Sequence, residues 1–265
     1  RAVVHGDDFT ILGLNKDLDW FQQQIKAKWQ VKVKGRLGPS SSDDKIIHVL
    51  NRIVEWKADG IHYEADPRHA ELILEGLSLD KTSKGSAVIG TRDDDDILDE
   101  SPLLDPYHAT QYRALTARAI YLAQDRSDLG YAAKELSRSM ANPTEASMNK
   151  LKKLGRYLIM FPRYVIKFKY QCKPTSISMP TDTDWAGCKK TRKSTSGGIA
   201  TLGTHMIKSY SSTQGVVALS SGEAEYYGLS KGASIALGIV GMCSDMGVDF
   251  NVHISTDASA AKGIA

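Results

Sequence analysis

Ile177-Ser178-Met179-Pro180-Thr181-Asp182 opens the stretch whose reading decides the fold. Its apolar residues alternate with small polar ones, the period of a strand with one buried face. Gly197 to Leu202 and Met206 to Ser212 read as two further strands, joined by the turn Gly203-Thr204-His205. Ser220-Ser221 supplies a cap for a long helix from about Gly222 to Met242. Phe250 to Thr256 is a fourth strand, and Ala258 starts a second helix. The order is β-β-β-α-β-α, which makes the first and fourth strands parallel neighbours beneath the long helix.

That arrangement concerns the acids. Asp182 and Asp184 lie two apart at the end of the first strand and so share a face. Glu223 and Glu225 lie at the start of the long helix, and Asp257 ends the fourth strand. One acid from each element converges on a single point. Clustered carboxylates repel unless a cation neutralises them, and an all-oxygen set suits Mg²⁺. Each acid also has an ordinary reading: Glu at a helix start favours the helix dipole, and Asp at a strand end caps the next helix.

Upstream, Val3-Val4 and Phe9 to Gly13 read as two short strands, with His5-Gly6-Asp7-Asp8 at the tight turn between them. Asp7 and Asp8 have two readings, ordinary turn residues or a cation-binding pair. Leu18, Phe21, Ile25 and Trp29 recur at helical spacing after Asn15, which predicts an N-cap there. Gly38 to Ser42 is a loop. Ile46 to Trp56 and Gly60 to Tyr63 predict a hairpin around Asp59-Gly60, and Pro67 then starts a helix through Leu79.

Lys81 to Pro102 is a composition break carrying the run Asp93-Asp94-Asp95-Asp96; it reads as a solvated flexible linker, cation binding by the aspartates being the other reading. Tyr112 to Leu122 and Leu129 to Met140 predict two helices. A third has Asn142 as N-cap, Pro143 at N1 and Glu145 at N3, with Leu151, Leu154 and Leu158 turned inward. Tyr164 to Tyr170 alternates as a half-exposed strand leading away from it.

Charge is local. The chain of 265 residues has net charge +3, yet Ala146 to Lys193 holds twelve Lys/Arg against two acids. Lys150, Lys153, Arg156, Lys189, Lys190, Arg192 and Lys193 belong to this block, interleaved with Tyr157, Phe161, Tyr164, Phe168 and Tyr170. Such a surface suits a phosphate backbone; a solvated helix face beside an amphipathic strand is the other reading. With 42% hydrophobic and 25% charged residues, the composition excludes a disordered tail, a collagen-like fibre and a disulfide scaffold. Cys172, Cys188 and Cys243 are too widely spaced for a CxxC pair, which points to a reducing compartment and no zinc knuckle. No apolar run approaches the ~18 residues of a membrane span, and no targeting segment is visible.

Three motifs then carry a resemblance. Thr181-Asp182-Thr183-Asp184-Trp185-Ala186-Gly187, Thr191-Arg192-Lys193-Ser194-Thr195-Ser196-Gly197 and Val217-Ala218-Leu219-Ser220-Ser221-Gly222-Glu223-Ala224-Glu225-Tyr226 closely resemble the ribonuclease H domain of copia-type LTR retrotransposon Pol polyproteins. Tyr112 to Ala123, Asp128-Leu129 and Asn142 to Leu158 resemble the segment that joins polymerase to ribonuclease H in that family. His5-Gly6-Asp7-Asp8 falls where the family has its Tyr-Val-Asp-Asp polymerase box.

The resemblance implies an α+β / α/β chain in three parts. Residues 1–85 would end a reverse-transcriptase palm and thumb, 86–174 would form a linker and helical connection, and 175–265 an incomplete ribonuclease H-like domain with a mixed sheet. It implies RNA-directed DNA synthesis and Mg²⁺-dependent hydrolysis of RNA in RNA–DNA hybrids. Asp7 and Asp8 match the paired palm aspartates; Asp182, Glu225 and Asp257 match ribonuclease H acids, Glu225 fitting the Ala-Glu-Tyr frame better than Glu223. Two Mg²⁺ ions ~3.5–4 Å apart would activate the attacking water and stabilise the leaving 3′ oxygen. Template RNA and DNA, the hybrid and dNTPs are the implied partners, with no membrane; the basic block would cradle the hybrid, whose A-like duplex is recognised by shape. A cytoplasmic virus-like particle is the implied location.

Some positions depart from the family pattern. His5 and Gly6 replace an aromatic and an aliphatic residue, and Gly198 stands where an aromatic is usual. The third palm aspartate would lie upstream of Arg1 and the fourth ribonuclease H acid beyond Ala265, and both ends read as cut through secondary structure. The expectation is a piece of a longer polyprotein. The alternative is a decayed element without catalysis that retains nucleic-acid binding.

Overall fold

A computed structural model of the chain describes residues 1–89 and 100–264. Two hydrophobic cores organise it, one helical and one under a mixed sheet.

The N-terminal hairpin forms as the sequence predicts. β1 (Ala2–His5) pairs antiparallel with β2 (Asp8–Ile11), with Val4 opposite Phe9. α1 (Asn15–Lys28) follows, and here the predicted cap is one residue off: Asn15 is the first helical residue and Leu14 the cap, without a side-chain bond. Asp17 in the first turn and Lys26 and Lys28 in the last complement the helix dipole instead. No residue of α1 is buried; Phe21 meets Phe9 at 6.5 Å between ring centres.

The first large sheet is β3 (Ile46–Val49), β4 (Arg52–Lys57), β5 (Gly60–Glu64) and β6 (Val165–Lys169), antiparallel throughout in that order. The run read as one strand from Ile46 to Trp56 is broken at Leu50-Asn51. Both residues adopt left-handed φ (49° and 65°), the geometry of a tight hairpin turn. β6 does not lead away from the helices: it returns to pair with β5, Tyr63 opposite Ile166, and Arg163 donates to both oxygens of Glu64 at 2.8 and 2.5 Å.

Four helices pack beside it: α2 (Pro67–Gly76), α3 (Pro106–Leu122), α4 (Gly130–Ser137) and α5 (Glu145–Met160). Ile73, Tyr112, Ala119, Leu129, Leu151, Leu154 and Leu158 are fully buried there, the stripe that the 3.6-residue period predicts. The start of α5 differs from the prediction by two residues. Leu104 N–H donates to Pro143 O and Glu145 N–H to Pro102 O, which holds Pro143-Thr144 extended. Thr144 is therefore the cap, accepting from Ser147 N–H at 3.1 Å. Part of the composition break is seated rather than free: Ser86 N–H donates to Arg156 O, and Ile89 packs against the helical core. The aspartate run Asp93 to Asp96 lies outside the described residues.

The C-terminal layer has the predicted order. It comprises β7 (Ser176–Asp184), β8 (Thr195–Leu202), β9 (His205–Thr213), α6 (Ser221–Asp245), β10 (Asn251–Ser255) and α7 (Ser259–Ile264). Strand order is β10-β7-β8-β9, with β10 parallel to β7 (Ile254 opposite Met179) and the other pairs antiparallel. α6 lies on the buried face over Ile177, Met179 and Ala200. It approaches closely because Ala224, Gly228, Gly232 and Ala236, four apart, form its contact stripe. A Cβ on Gly228 would stand 2.5 Å from Thr183 Oγ1, and one on Gly232 2.5 Å from Thr181 Cγ2. α4 packs against β9, and its Lys134 Nζ donates to Thr195 Oγ1 at the start of neighbouring β8 at 3.1 Å. The architecture is α+β and compatible with a ribonuclease H-like fold.

Candidate metal centre

The close seating of α6 sets up the site. Ser220 caps the helix, its Oγ accepting from Glu223 N–H at 3.1 Å, and Glu223 reaches back to accept from Leu219 N–H at 2.8 Å. Glu223 is thus engaged in the cap. Glu225, two residues further along the helix and on its sheet-facing side, is buried at 8% exposure. Its Oε1 accepts from Thr183 N–H at 3.2 Å and its Oε2 from the Thr256 hydroxyl at 3.3 Å.

Asp182, near the end of β7, and Asp257, two residues past β10, bring their carboxylates to Glu225. One oxygen from each of the three lies within 4.8 Å of the others. The parallel pairing of β7 and β10 makes this possible by ending both strands at the same side of the sheet. Burial holds the Glu225 carboxyl above the usual carboxylate range, reinforced by the charge of Asp182 and then Asp257, against the two hydrogen bonds that favour ionisation.

Three hard oxygen donors, two of them exposed and one buried among like charges, fit a divalent cation such as Mg²⁺; among the described residues no imidazole or thiolate joins the cluster. The sign of the Glu225 shift gives a prediction for the metal-free chain. A raised folded pKa means that the stability tied to protonated Glu225 is present at low pH and lost as pH rises through that pKa. Glu225→Gln is therefore expected to raise the thermal midpoint at pH 7 in EDTA and to leave it unchanged well below pH 4. Melting curves at the two pH values check this; a lower midpoint at pH 7 would contradict the cluster's mutual repulsion.

The other candidate residues lie elsewhere. Asp184 is not part of the cluster; its carboxylate sits over Gly187, where a Cβ would stand 1.9 Å from Oδ2. Asp7 is exposed at the hairpin turn, and Asp8 pairs with Lys34 at 2.6 Å. Among the described residues no third acid joins that pair to form a ligand set. Lys150, Lys153 and Arg156 lie on α5, opposite its buried leucines. Lys189, Lys190, Arg192 and Lys193 occupy the tight connection from β7 to β8, closed by Arg192 N–H to Cys188 O at 2.7 Å.

Thr183 and Thr256, which hold Glu225, are absent from the sequence-level site. Each is the neighbour of a clustered aspartate, in Asp182-Thr183 and Thr256-Asp257, and that adjacency is the signal that could have found them.

A mixed sheet with one helix on its face and three carboxylates at the ends of its parallel pair defines an acidic-cluster protein with a ribonuclease H-compatible layer. The chain is similar, over about half its length, to retrovirus-related Pol polyproteins of copia-type transposons. It is 37% identical over 146 residues to the Pol polyprotein from transposon RE1 of Arabidopsis thaliana, covering 55% of this chain and 10% of that protein. It is 36% identical over 142 residues to the Pol polyprotein from transposon RE2 of the same plant, covering 54% and 10%. An uncharacterised mitochondrial protein of that plant, AtMg00810, is 32% identical over 124 residues, covering 46% and 50%. The chain thus spans about a tenth of the length of the two Pol polyproteins. No family model matches it, and no solved structure does so significantly.

Proposed function

We propose that the chain acts within a transposon reverse transcriptase, and that its C-terminal layer hydrolyses the RNA strand of RNA–DNA hybrids with Mg²⁺. The observation that carries this reading is the meeting of Asp182, Glu225 and Asp257 from three separate elements, in a chain whose relatives are Pol polyproteins. Asp182, Glu225 and Asp257 would hold Mg²⁺, which when bound would supply a water of lowered pKa and charge neutralisation at the leaving oxygen. The chain's own residues do the placing. Thr183 and Thr256 fix both oxygens of Glu225, while exposed Asp182 and Asp257 face the side open to substrate. Lys189, Lys190, Arg192 and Lys193, on the loop leaving the strand of Asp182, meet phosphates of the hybrid, with Lys150, Lys153 and Arg156 as a further basic row.

Residues 1–85 are assigned to palm and thumb, 86–174 to the connection and 175–265 to the ribonuclease H-like part. Asp7 and Asp8 serve as the polymerase pair, Asp8 exchanging Lys34 for the cation that accompanies a dNTP. The cytoplasmic virus-like particle is the proposed location.

The test incubates the chain, as it stands and continued past Ala265, with a labelled RNA–DNA hybrid, duplex DNA and single-stranded RNA, in Mg²⁺ and in EDTA. Loss of the RNA strand from the hybrid alone, and only with Mg²⁺, is expected. Hybrid binding without cleavage in both versions would favour the decayed, binding-only element. Affinity for the hybrid should fall linearly with salt on logarithmic axes. Lys190→Ala with Arg192→Ala should flatten that slope by about 2 if both side chains contact phosphates, and an unchanged slope would remove the loop from the interface.

A further inference from the structure

The stripe by which α6 sits on the sheet is made of small residues. Thr183 and Thr181 of β7 occupy the notches at Gly228 and Gly232, and Ile239 packs into the core further along the helix. A metal site tolerates displacements of only about 0.5 Å, and a directional group must hold the Glu225 end of α6 to that.

Gln214 does so. It directly follows β9 and is 9% exposed, and its backbone N–H extends the sheet by donating to Ser194 O at 2.8 Å. Its side-chain amide uses both hydrogens: Nε2 donates to Ala224 O at 2.8 Å and to Ser196 Oγ at 2.9 Å. A carbonyl can only accept, so the bond to Ala224 fixes which end of the amide is nitrogen. Ala224 immediately precedes Glu225. Ser196 is 1% exposed and stands opposite Thr183, whose backbone N–H holds Glu225 Oε1. The circuit runs Gln214 to Ser196, across the ladder to Thr183, to Glu225, and back through Ala224 to Gln214. It ties β9, β8, β7 and α6 together around one carboxylate.

We infer that Gln214 is a positioning residue for the metal centre, setting the height and register of Glu225 through the Ala224 carbonyl. The inference rests on the reading of Asp182, Glu225 and Asp257 as metal ligands. Gln214 itself touches neither metal nor substrate.

The test titrates the 265-residue chain with Mn²⁺ alone, following free Mn²⁺ by electron paramagnetic resonance. Gln214→Met keeps the side chain's length and apolar stem but removes both donors. It is compared with Ile239→Val, a mild change in the same core away from the cluster. Gln214→Met is expected to stay folded by circular dichroism and to bind Mn²⁺ roughly 10-fold more weakly, the usual loss when a group behind a ligand is removed. Ile239→Val should bind as the parent does. Mn²⁺ affinity within twofold of the parent in folded Gln214→Met would overturn the inference, because a merely structural glutamine lowers the unfolding midpoint without moving metal affinity. Where Gln214→Met does not fold, Ser196→Ala removes the sheet-side anchor and carries the same two outcomes. A parent chain that binds no Mn²⁺ would instead overturn the metal-centre reading, and the inference with it.

Discussion

Asp182→Asn is expected to slow Mg²⁺-dependent hydrolysis of the hybrid's RNA strand by at least about 10³-fold under single-turnover conditions. The substitution keeps the shape of the side chain and replaces an anionic oxygen by a neutral amide. A metal site of this kind lowers the barrier by several kcal/mol, and each 1.36 kcal/mol is tenfold in rate. Asp182 is exposed and pairs across the ladder with Gly197, so the exchange leaves the packing beneath α6 untouched. It also removes the largest like charge acting on Glu225. The variant should therefore melt no lower than the parent in EDTA while losing the rate. A rate within tenfold of the parent would show that Asp182 is not a ligand. A lost rate together with a lower midpoint would point to misfolding instead.

The second large effect concerns the glycines of α6. Gly232→Leu is expected to destabilise the C-terminal layer by about 1–3 kcal/mol, the usual range for overpacking. The new Cβ would meet Thr181 Cγ2 at 2.5 Å and Met179 Cγ at 3.4 Å. Thr181 is β-branched, buried at 6% exposure and held in a central strand, so it cannot swing aside. The helix must lift, and the gain of up to about 1 kcal/mol from removing a helical glycine does not offset that. Gly238→Ala supplies the opposite sign, because a Cβ there meets nothing within 4 Å; it should stabilise by somewhat under about 1 kcal/mol. Urea unfolding followed through the fluorescence of Trp185, which sits beside the layer and donates to Ala218 O, separates the two. Equal effects of both substitutions would mean that α6 does not approach β7 closely.

Much of the C-terminal layer was legible because its elements are long and their chemistry local. Alternation in β7, the Ser220 cap and the strand-end aspartates each have a mechanism that acts within a few residues. Once β10 is placed parallel to β7, the convergence of Asp182, Glu225 and Asp257 follows from topology. The errors have a common cause in contacts distant along the chain. Asn142 is a good cap by composition, but the pairing of residues 102–104 with 143–145 holds the backbone extended past it. The strand read through Leu50-Asn51 is broken by left-handed residues that carry no glycine to announce them. β6 was read as departing because its partner β5 lies about a hundred residues earlier. Gln214 was invisible for the same reason: its two side-chain partners come from β8 and α6, and nothing in its neighbours marks it as buried.

Crystals of the chain grown with Mn²⁺, measured for anomalous scattering, test the central claim most directly. The account predicts a peak between Asp182, Glu225 and Asp257, with oxygens of all three carboxylates at roughly Mg²⁺-like distances of about 2.1 Å. Mn²⁺ found elsewhere on the surface, with the three carboxylates apart and no peak between them, would contradict it.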